Sequence, residues 1–407
     1  MRRFIVVVLD SFGVGAMDDV PKVRPADIGS NTCKSVLSNN PNLYLPQLEG
    51  LGIMNAVGED IGQMKKVENP HYGISDLAHI GGDTFFGHQE IMGTLPKKPW
   101  REPFQHVIDT VEKHLLESCY EVERLGNIGE QVLLVNKTMT VGDNLETDPG
   151  QVYNVTGTLQ EVAFEDIVRL GKTVRQVVKV ARVIAFGGQA ATVDSIKSAY
   201  RTKPGGYAGI DAPLSGVYKE NYQVIHLGYG IDPETQVPTI LGKEGIPVIL
   251  LGKVADIVEN RFGQSIPGVD SETLFKQTVE KMKEMEYGFI CLNIQETDLA
   301  GHAQDANLYG NRLLDSDEGL AKIRAELIEG DVLIVMADHG NDPTIGHSQH
   351  TRERVPLLID APGAKKMYIG HRSTMADVGA TVCDYFGVNR PESGTSFLKD
   401  VQVEQFV

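Results

Sequence analysis

The sequence predicts an α/β protein, with a mostly parallel sheet flanked by helices and a second, α+β domain inserted into the first. Three observations carry that expectation. Short apolar runs alternate with segments of helical periodicity, the pattern of parallel strands joined through helices. Three of those runs finish in acidic or histidine residues, as expected where an open sheet presents the carboxyl ends of its strands to a ligand. Between about residues 99 and 230 the texture changes to shorter, more turn-rich pieces. A chain of 407 residues is also long enough for about two domains.

The first element, Phe4–Leu9, is a continuous apolar run that leads directly into Asp10. Such runs read as strands covered on both faces. Ile246–Leu251, Phe289–Ile294, Val332–Ala337 and Val355–Ile359 have the same character and are expected to lie parallel to it. Ser271–Glu286 and Leu313–Ile328 show helical spacing. The middle of the chain offers a hairpin at Gln131–Met139, a strand at Gln151–Val155, a helix at Val162–Val177 and a Gly/Pro-rich stretch at Pro204–Pro213. The core domain is therefore expected over 1–98 and 231–407, its sheet resuming near Val237, with an inserted cap over 99–230. The segment from Glu392 onward is expected to pack on the core.

Composition narrows the function. A net charge of −17 argues against a nucleic-acid partner or an anionic membrane surface. An acidic protein that binds phosphate esters must supply local positive charge, and metal ions do so. Cys33, Cys119, Cys291 and Cys383 lie far apart, without the spacing of a zinc ribbon or a disulfide framework. The apolar run after Arg2-Arg3 stops at Asp10, too short for a signal peptide. No apolar stretch approaches the roughly 20 residues that span a bilayer. A soluble, cytoplasmic protein is the expectation, and nothing in the sequence specifies an oligomeric state.

Four segments carry chemistry. Ala337-Asp338-His339-Gly340 ends an apolar strand and is followed by His347 and His350, so an Asp-His pair and a loop histidine are available to metal ions. Asp298 and His302, four apart, share one face of a helical turn. Asp10 opens Asp10-Ser11-Phe12-Gly13-Val14-Gly15, whose glycines let the backbone bend sharply beside a ligand. Gly82-Asp83-Thr84 places a hydroxyl ahead of a predicted helix that continues through His88 and Glu90. A hydroxyl there suits a nucleophile, because helix N-terminal N–H groups stabilise anionic oxygens. Each segment alone also has a plain structural reading, such as a helix cap or a loop histidine. Together they supply three Asp, three His and one hydroxyl, about what two divalent ions with open positions require.

The order of these motifs resembles the alkaline phosphatase superfamily. More narrowly, Asp10-Ser11-Phe12-Gly13-Val14-Gly15-Ala16, Asp83-Thr84 with Gly87-His88 and Glu90, Asp338-His339-Gly340-Asn341-Asp342-Pro343 and His350-Thr351-Arg352-Glu353 are similar to phosphopentomutase segments. Arg182-Val183-Ile184-Ala185 and Gly252-Lys253-Val254-Ala255-Asp256-Ile257 are similar as well, and the resemblance covers nearly the whole chain. It implies an alkaline-phosphatase-like core with a cap, a phosphorylated Thr84 and two divalent ions, commonly Mn²⁺. It assigns Asp10, Asp338 and His339 to one ion, and Asp298, His302 and His350 to the other. It makes Arg182, Lys253 and Arg201 substrate contacts, and implies a sugar phosphate substrate such as ribose 1-phosphate or ribose 5-phosphate, with a sugar bisphosphate as activator. Two departures mark a diverged paralogue. Thr297 stands where phosphopentomutases carry the ligand aspartate, one residue before Asp298, which implies a shifted backbone. Thr156 stands where they carry a carboxylate for the sugar hydroxyls. The same core also suits a plain phosphatase or phosphodiesterase, or a non-catalytic metal-binding sensor of sugar phosphates.

Overall fold

The computed structural model describes residues 2–95, 97–147 and 149–401. The chain divides into two compact units, one formed by the chain up to residue 96 and from residue 232 onward, the other by Lys97–Ile231.

The first unit is built on an eight-stranded sheet. Its order is Gln264–Ile266, Val248–Leu251, Tyr287–Ile294, Arg2–Leu9, Val332–Met336, Val355–Asp360, Tyr72–Ser75, Tyr368–Arg372. Arg2–Leu9 sits near the centre, parallel to Tyr287–Ile294 on one side and Val332–Met336 on the other. Phe4 to Val8 are fully buried, which is why the strand reads as an unbroken apolar run. Leu9 pairs with Ile294, and Val8 with Met336. The residues that follow these three strands therefore emerge along one carboxyl edge, although they are hundreds of positions apart in sequence. Five of the seven pairings are parallel.

Three expectations need correction here. Val355–Asp360 runs antiparallel to both its neighbours; a strand covered on both faces has the same composition in either direction, so its sequence does not encode polarity. The sheet does not resume at Val237: Val237–Lys243 is a helix with proline in its first turn, and the next strand is Val248–Leu251. The helix expected at Leu313–Ile328 spans Ala306–Ala325, because Asp305 caps it by accepting the Asn307 and Leu308 amides. The helix expected at Ser271–Glu286 starts at Ser271, capped by Asp270, and ends at Glu284. At the far end Leu398 and Val401 are buried against the core, and residues 402–407 lie outside the described residues.

The second unit has a six-stranded sheet in the order Gln223–Gly228, Arg182–Gly188, Val152–Thr158, Met139–Asp143, Val132–Val135, Val122–Leu125. Its one parallel pairing, Val152–Thr158 with Arg182–Gly188, is joined through the helix Phe164–Arg175. The hairpin between Val132–Val135 and Met139–Asp143 turns through Asn136 and Lys137, both at positive φ, the twist that two-residue hairpin turns favour. The Gly/Pro-rich stretch holds part of a second hairpin, Tyr200–Lys203 with Tyr207–Ile210, turning on Gly205 and Gly206 at positive φ. Among the described residues, no helix is long and apolar enough to cross a membrane.

Candidate metal centre

Asp10 follows the central strand, Asp338 and His339 follow Val332–Met336, and Asp298 and His302 lie on the helix Glu296–His302 after Tyr287–Ile294. His350 comes from the loop beyond. Two overlapping donor groups result: Asp10 with Asp338 and His339, and Asp298 with His339 and His350, the potential ligand atoms of each lying within 4.8 Å of one another. His302 adjoins the second group, its Nε2 standing 3.4 Å from Asp298 Oδ2 and 3.0 Å from His350 Nε2. His347 does not join them. It turns away to Asp27, 3.2 Å from its Oδ1.

The backbone fixes which nitrogen of each ring faces the centre. His339 Nδ1 donates to the Gly340 carbonyl at 2.9 Å, His302 Nδ1 to the Ser348 carbonyl at 2.6 Å, and His350 Nδ1 to the Gly82 carbonyl at 2.7 Å. A carbonyl only accepts, so each Nδ1 carries a proton and each Nε2 turns its lone pair inward. Two such nitrogens 3.0 Å apart, as in His302 and His350, require a proton or another cation between them. His339 Nε2 and Asp10 Oδ1 face each other at 3.5 Å, both buried and neither hydrogen-bonded. Orphaned acceptors aimed at one point are costly in a protein interior unless a cation collects them. The residues therefore fit two divalent ions.

Electrostatics agree. Burial and the neighbouring Asp338 push the Asp10 carboxyl up to about 7 in the metal-free centre. Asp298 goes the other way: burial opposes ionisation, but without ions His302 and His350 take up a second proton on Nε2, and their hydrogen bonds and charge hold it well below the usual carboxylate range. Burial lowers His339 to about 3, which keeps its ring neutral and able to ligate.

Thr84 opens the helix Thr84–Ile91, and Asp83 caps it by accepting the Phe86 amide. Thr84 Oγ1 donates to Asp338 Oδ2 at 2.7 Å, so the hydroxyl touches a carboxylate of the first donor group. Asp338 Oδ1 meanwhile accepts the Ser11 amide, which a positive φ at Ser11 turns towards it. His88, one turn beyond Thr84, donates from Nδ1 to the Thr84 carbonyl at 2.9 Å, and the same nitrogen lies 3.2 Å from Asp338 Oδ2. Its Nε2 accepts from Asn293 Nδ2, which also donates to Asp10 Oδ2. Hydrogen bonds and one ion-pair contact, between Asp338 and His88, thus link the hydroxyl to Asp10. Glu90 has a different task. Fully buried, it accepts from the Ala78, His79 and Met375 amides, His79 Nδ1 and Thr374 Oγ1, and so staples the helix in place.

Sequence reasoning gave no role to Asn293, nor to Asn341 and Glu353, which stood only within the phosphopentomutase-like motifs. Asn341 Nδ2 donates to Asp298 Oδ1 at 3.1 Å. Glu353, wholly buried, accepts from the Gly15 and Thr32 amides and from both the Thr32 and Thr351 hydroxyls, tying the loop after the first strand to the loop bearing His339 and His350. Side chains at Gly13 or Gly340 would overlap it, which explains glycine at both. A signal existed for Asn293: a polar residue inside a buried apolar strand needs partners.

The predicted substrate contacts lie as follows. Lys253 Nζ donates to Asp10 Oδ2 at 2.8 Å and to Asp298 Oδ2 at 3.4 Å, within the metal centre itself. Arg182, Arg201 and Thr156 belong to the second unit. Arg182 begins one of its strands. Arg201 is exposed and donates to the Ser198 and Tyr200 carbonyls. Thr156 is buried, with no hydrogen bond to its hydroxyl.

The chain matches the family model of the Metalloenzyme superfamily over residues 2–390. It is 29% identical over 425 aligned positions to the phosphopentomutase of Caldanaerobacter subterraneus subsp. tengcongensis, covering 99% of each protein. Among solved structures it is similar to a phosphoglycerate mutase of Leishmania mexicana, at 13% identity and a TM-score of 0.47 with 97% of each chain covered. It is also similar to the PH0037 protein of Pyrococcus horikoshii, at 15% identity and a TM-score of 0.43 with 95% of this chain and 97% of that one covered.

Proposed function

The chain belongs to the Metalloenzyme superfamily, and from that premise we propose that it is a metal-dependent phosphomutase acting on a pentose phosphate through a phosphorylated Thr84. The observation that carries the reading is the 2.7 Å hydrogen bond from Thr84 Oγ1 to Asp338, a nucleophile joined to a metal-binding carboxylate at a helix N-terminus. Full-length similarity to a phosphopentomutase supports the substrate class.

Asp10, Asp338 and His339 would hold one ion, and Asp298, His302 and His350 the other, with Mn²⁺ suited to mixed carboxylate and imidazole donors. Two such ions, when bound, neutralise charge on the transferring phosphoryl group and on the attacking and leaving oxygens. The chain's own residues position the reactants. Asp338 and His88 orient the Thr84 hydroxyl. A substrate hydroxyl oxygen attacks the phosphorus of phospho-Thr84. A new P–O bond forms to the sugar, the bond to Thr84 Oγ breaks, and the proton of that hydroxyl ends on Thr84. The resulting sugar bisphosphate returns its other phosphate to Thr84 by the reverse step, and the same bisphosphate added from outside would prime unphosphorylated enzyme. Lys253, Arg182 and Arg201 are proposed phosphate contacts. Thr156, a hydroxyl where a carboxylate would be stronger, is proposed to weaken the grip on the sugar hydroxyls and to broaden the range of sugars accepted.

The test is mass spectrometry of the metal-loaded protein after exposure to ribose 1,5-bisphosphate. Phosphate on Thr84, absent from Thr84→Ala, is the expected result. A phosphate found elsewhere, or none while turnover continues, overturns the assignment.

A further inference from the structure

Lys253 is placed by a backbone that few sequences tolerate. Gly252 has φ 77°, and a side chain there would overlap the Asn293 carbonyl. The lysine is thereby set at the start of a short helix, over the carboxyl edge of the sheet, with its side chain only 14% exposed. Its ammonium contacts one carboxylate from each donor group, Asp10 at 2.8 Å and Asp298 at 3.4 Å.

The two contacts differ in what they leave available. Asp10 gives Oδ2 to Lys253 and Asn293, while its Oδ1 makes no hydrogen bond and faces His339. An ion can enter the Asp10, Asp338 and His339 group without disturbing the lysine. Asp298 has no such spare oxygen. Oδ1 accepts from Asn341 and lies 3.3 Å from His350, and Oδ2, the atom nearest His302, is the one Lys253 approaches. A cation binding there competes with the ammonium for the same lone pairs.

We propose that Lys253 is a built-in counter-ion that holds the two half-sites together without metal and makes loading ordered, the Asp10 group filling first and the Asp298 group only as the ammonium withdraws from Asp298. The proposal rests on the metal-binding assignment above but not on the identity of the substrate. Once both ions are bound, three carboxylates, one ammonium and two divalent ions leave two positive charges, the complement of a phosphate monoester dianion, so the released lysine is poised for the substrate.

The experiment is calorimetric titration of Mn²⁺ into metal-free wild type, Lys253→Met and Lys253→Arg without substrate, with thermal melts of each protein before and after loading. Wild type should show two unequal steps. Lys253→Met should tighten the weaker step by about tenfold or more, as expected for removing a charge a few ångströms away. It should tighten the stronger step too, since the ammonium lies 2.8 Å from Asp10, but several-fold less than the weaker one, and should lower the melting temperature of the metal-free protein more than that of the loaded one. Lys253→Arg, which keeps the charge, should keep two unequal steps. A second reading uses wild type alone: reductive methylation of Lys253, followed by mass spectrometry, should rise only after the second equivalent of Mn²⁺. Equal tightening of both steps in Lys253→Met, or methylation indifferent to the second equivalent, overturns the proposal. Because no sugar phosphate is present, these results stand or fall separately from phosphate transfer.

Discussion

At the scale of single residues, the centre is a set of acceptors whose orientation the backbone decides. The candidate Asp and His donors were legible only in combination, since each segment alone also reads as a strand end, a helix cap or a loop histidine. Their supporters were not. Asn341 and Glu353 follow no spacing rule, and only the folded loops show that Glu353 joins the turn at Gly13 to the turn at Gly340. Removing the Thr84 hydroxyl, the proposed nucleophile, should reduce phosphate transfer by about three orders of magnitude or more. Thr84→Ala should retain wild-type metal stoichiometry, read by elemental analysis. Glu353 yields a pH prediction. Burial raises its carboxyl from 4.5 to about 7, so between those values the folded state holds a proton that the unfolded state has released. Its contribution to stability is therefore intact below pH 4.5 and falls as pH rises to 7. Metal-free Glu353→Gln should lose that portion of the decline when urea midpoints are compared across the window, and an unchanged slope would contradict the burial argument.

At the scale of elements, the helix Thr84–Ile91 is the part on which positioning depends. It is short and nearly all its residues are buried, and one carboxylate, Glu90, anchors it to the chain at Ala78, His79, Thr374 and Met375. Glu90→Ala leaves those donors without an acceptor and should cost about 3–5 kcal/mol of stability by urea unfolding. Glu90→Gln keeps one oxygen acceptor and should cost less. The strands were legible because continuous apolar runs of this length have few other uses. Polarity was not: Val355–Asp360 is buried like Val332–Met336 yet runs against it and against Tyr72–Ser75. Short strands such as Gln264–Ile266, at the sheet edge, and Tyr72–Ser75, paired on both sides, escaped notice for a related reason, since pairing partners rather than local composition make them strands.

At the scale of the whole molecule, an acidic chain of net charge −17 gathers three carboxylates on the edge of its main sheet. Divalent ions offset that concentration of charge, so chelation should lower the melting temperature and Mn²⁺ should restore it. At a hundredfold excess over the dissociation constant each ion contributes about 2.7 kcal/mol to stability. A melt indifferent to chelator would argue against ions in the centre. The central claim, that phosphate moves between hydroxyls of one sugar and is not passed to water, is tested most directly by ³¹P NMR. The Mn²⁺-loaded protein is given ribose 1-phosphate with a catalytic amount of ribose 1,5-bisphosphate, and Thr84→Ala serves as control. The account predicts that the ribose 1-phosphate resonance declines as that of ribose 5-phosphate grows, with inorganic phosphate absent and the control silent. Accumulation of inorganic phosphate in place of the second sugar phosphate would contradict it, and would make water the acceptor at Thr84.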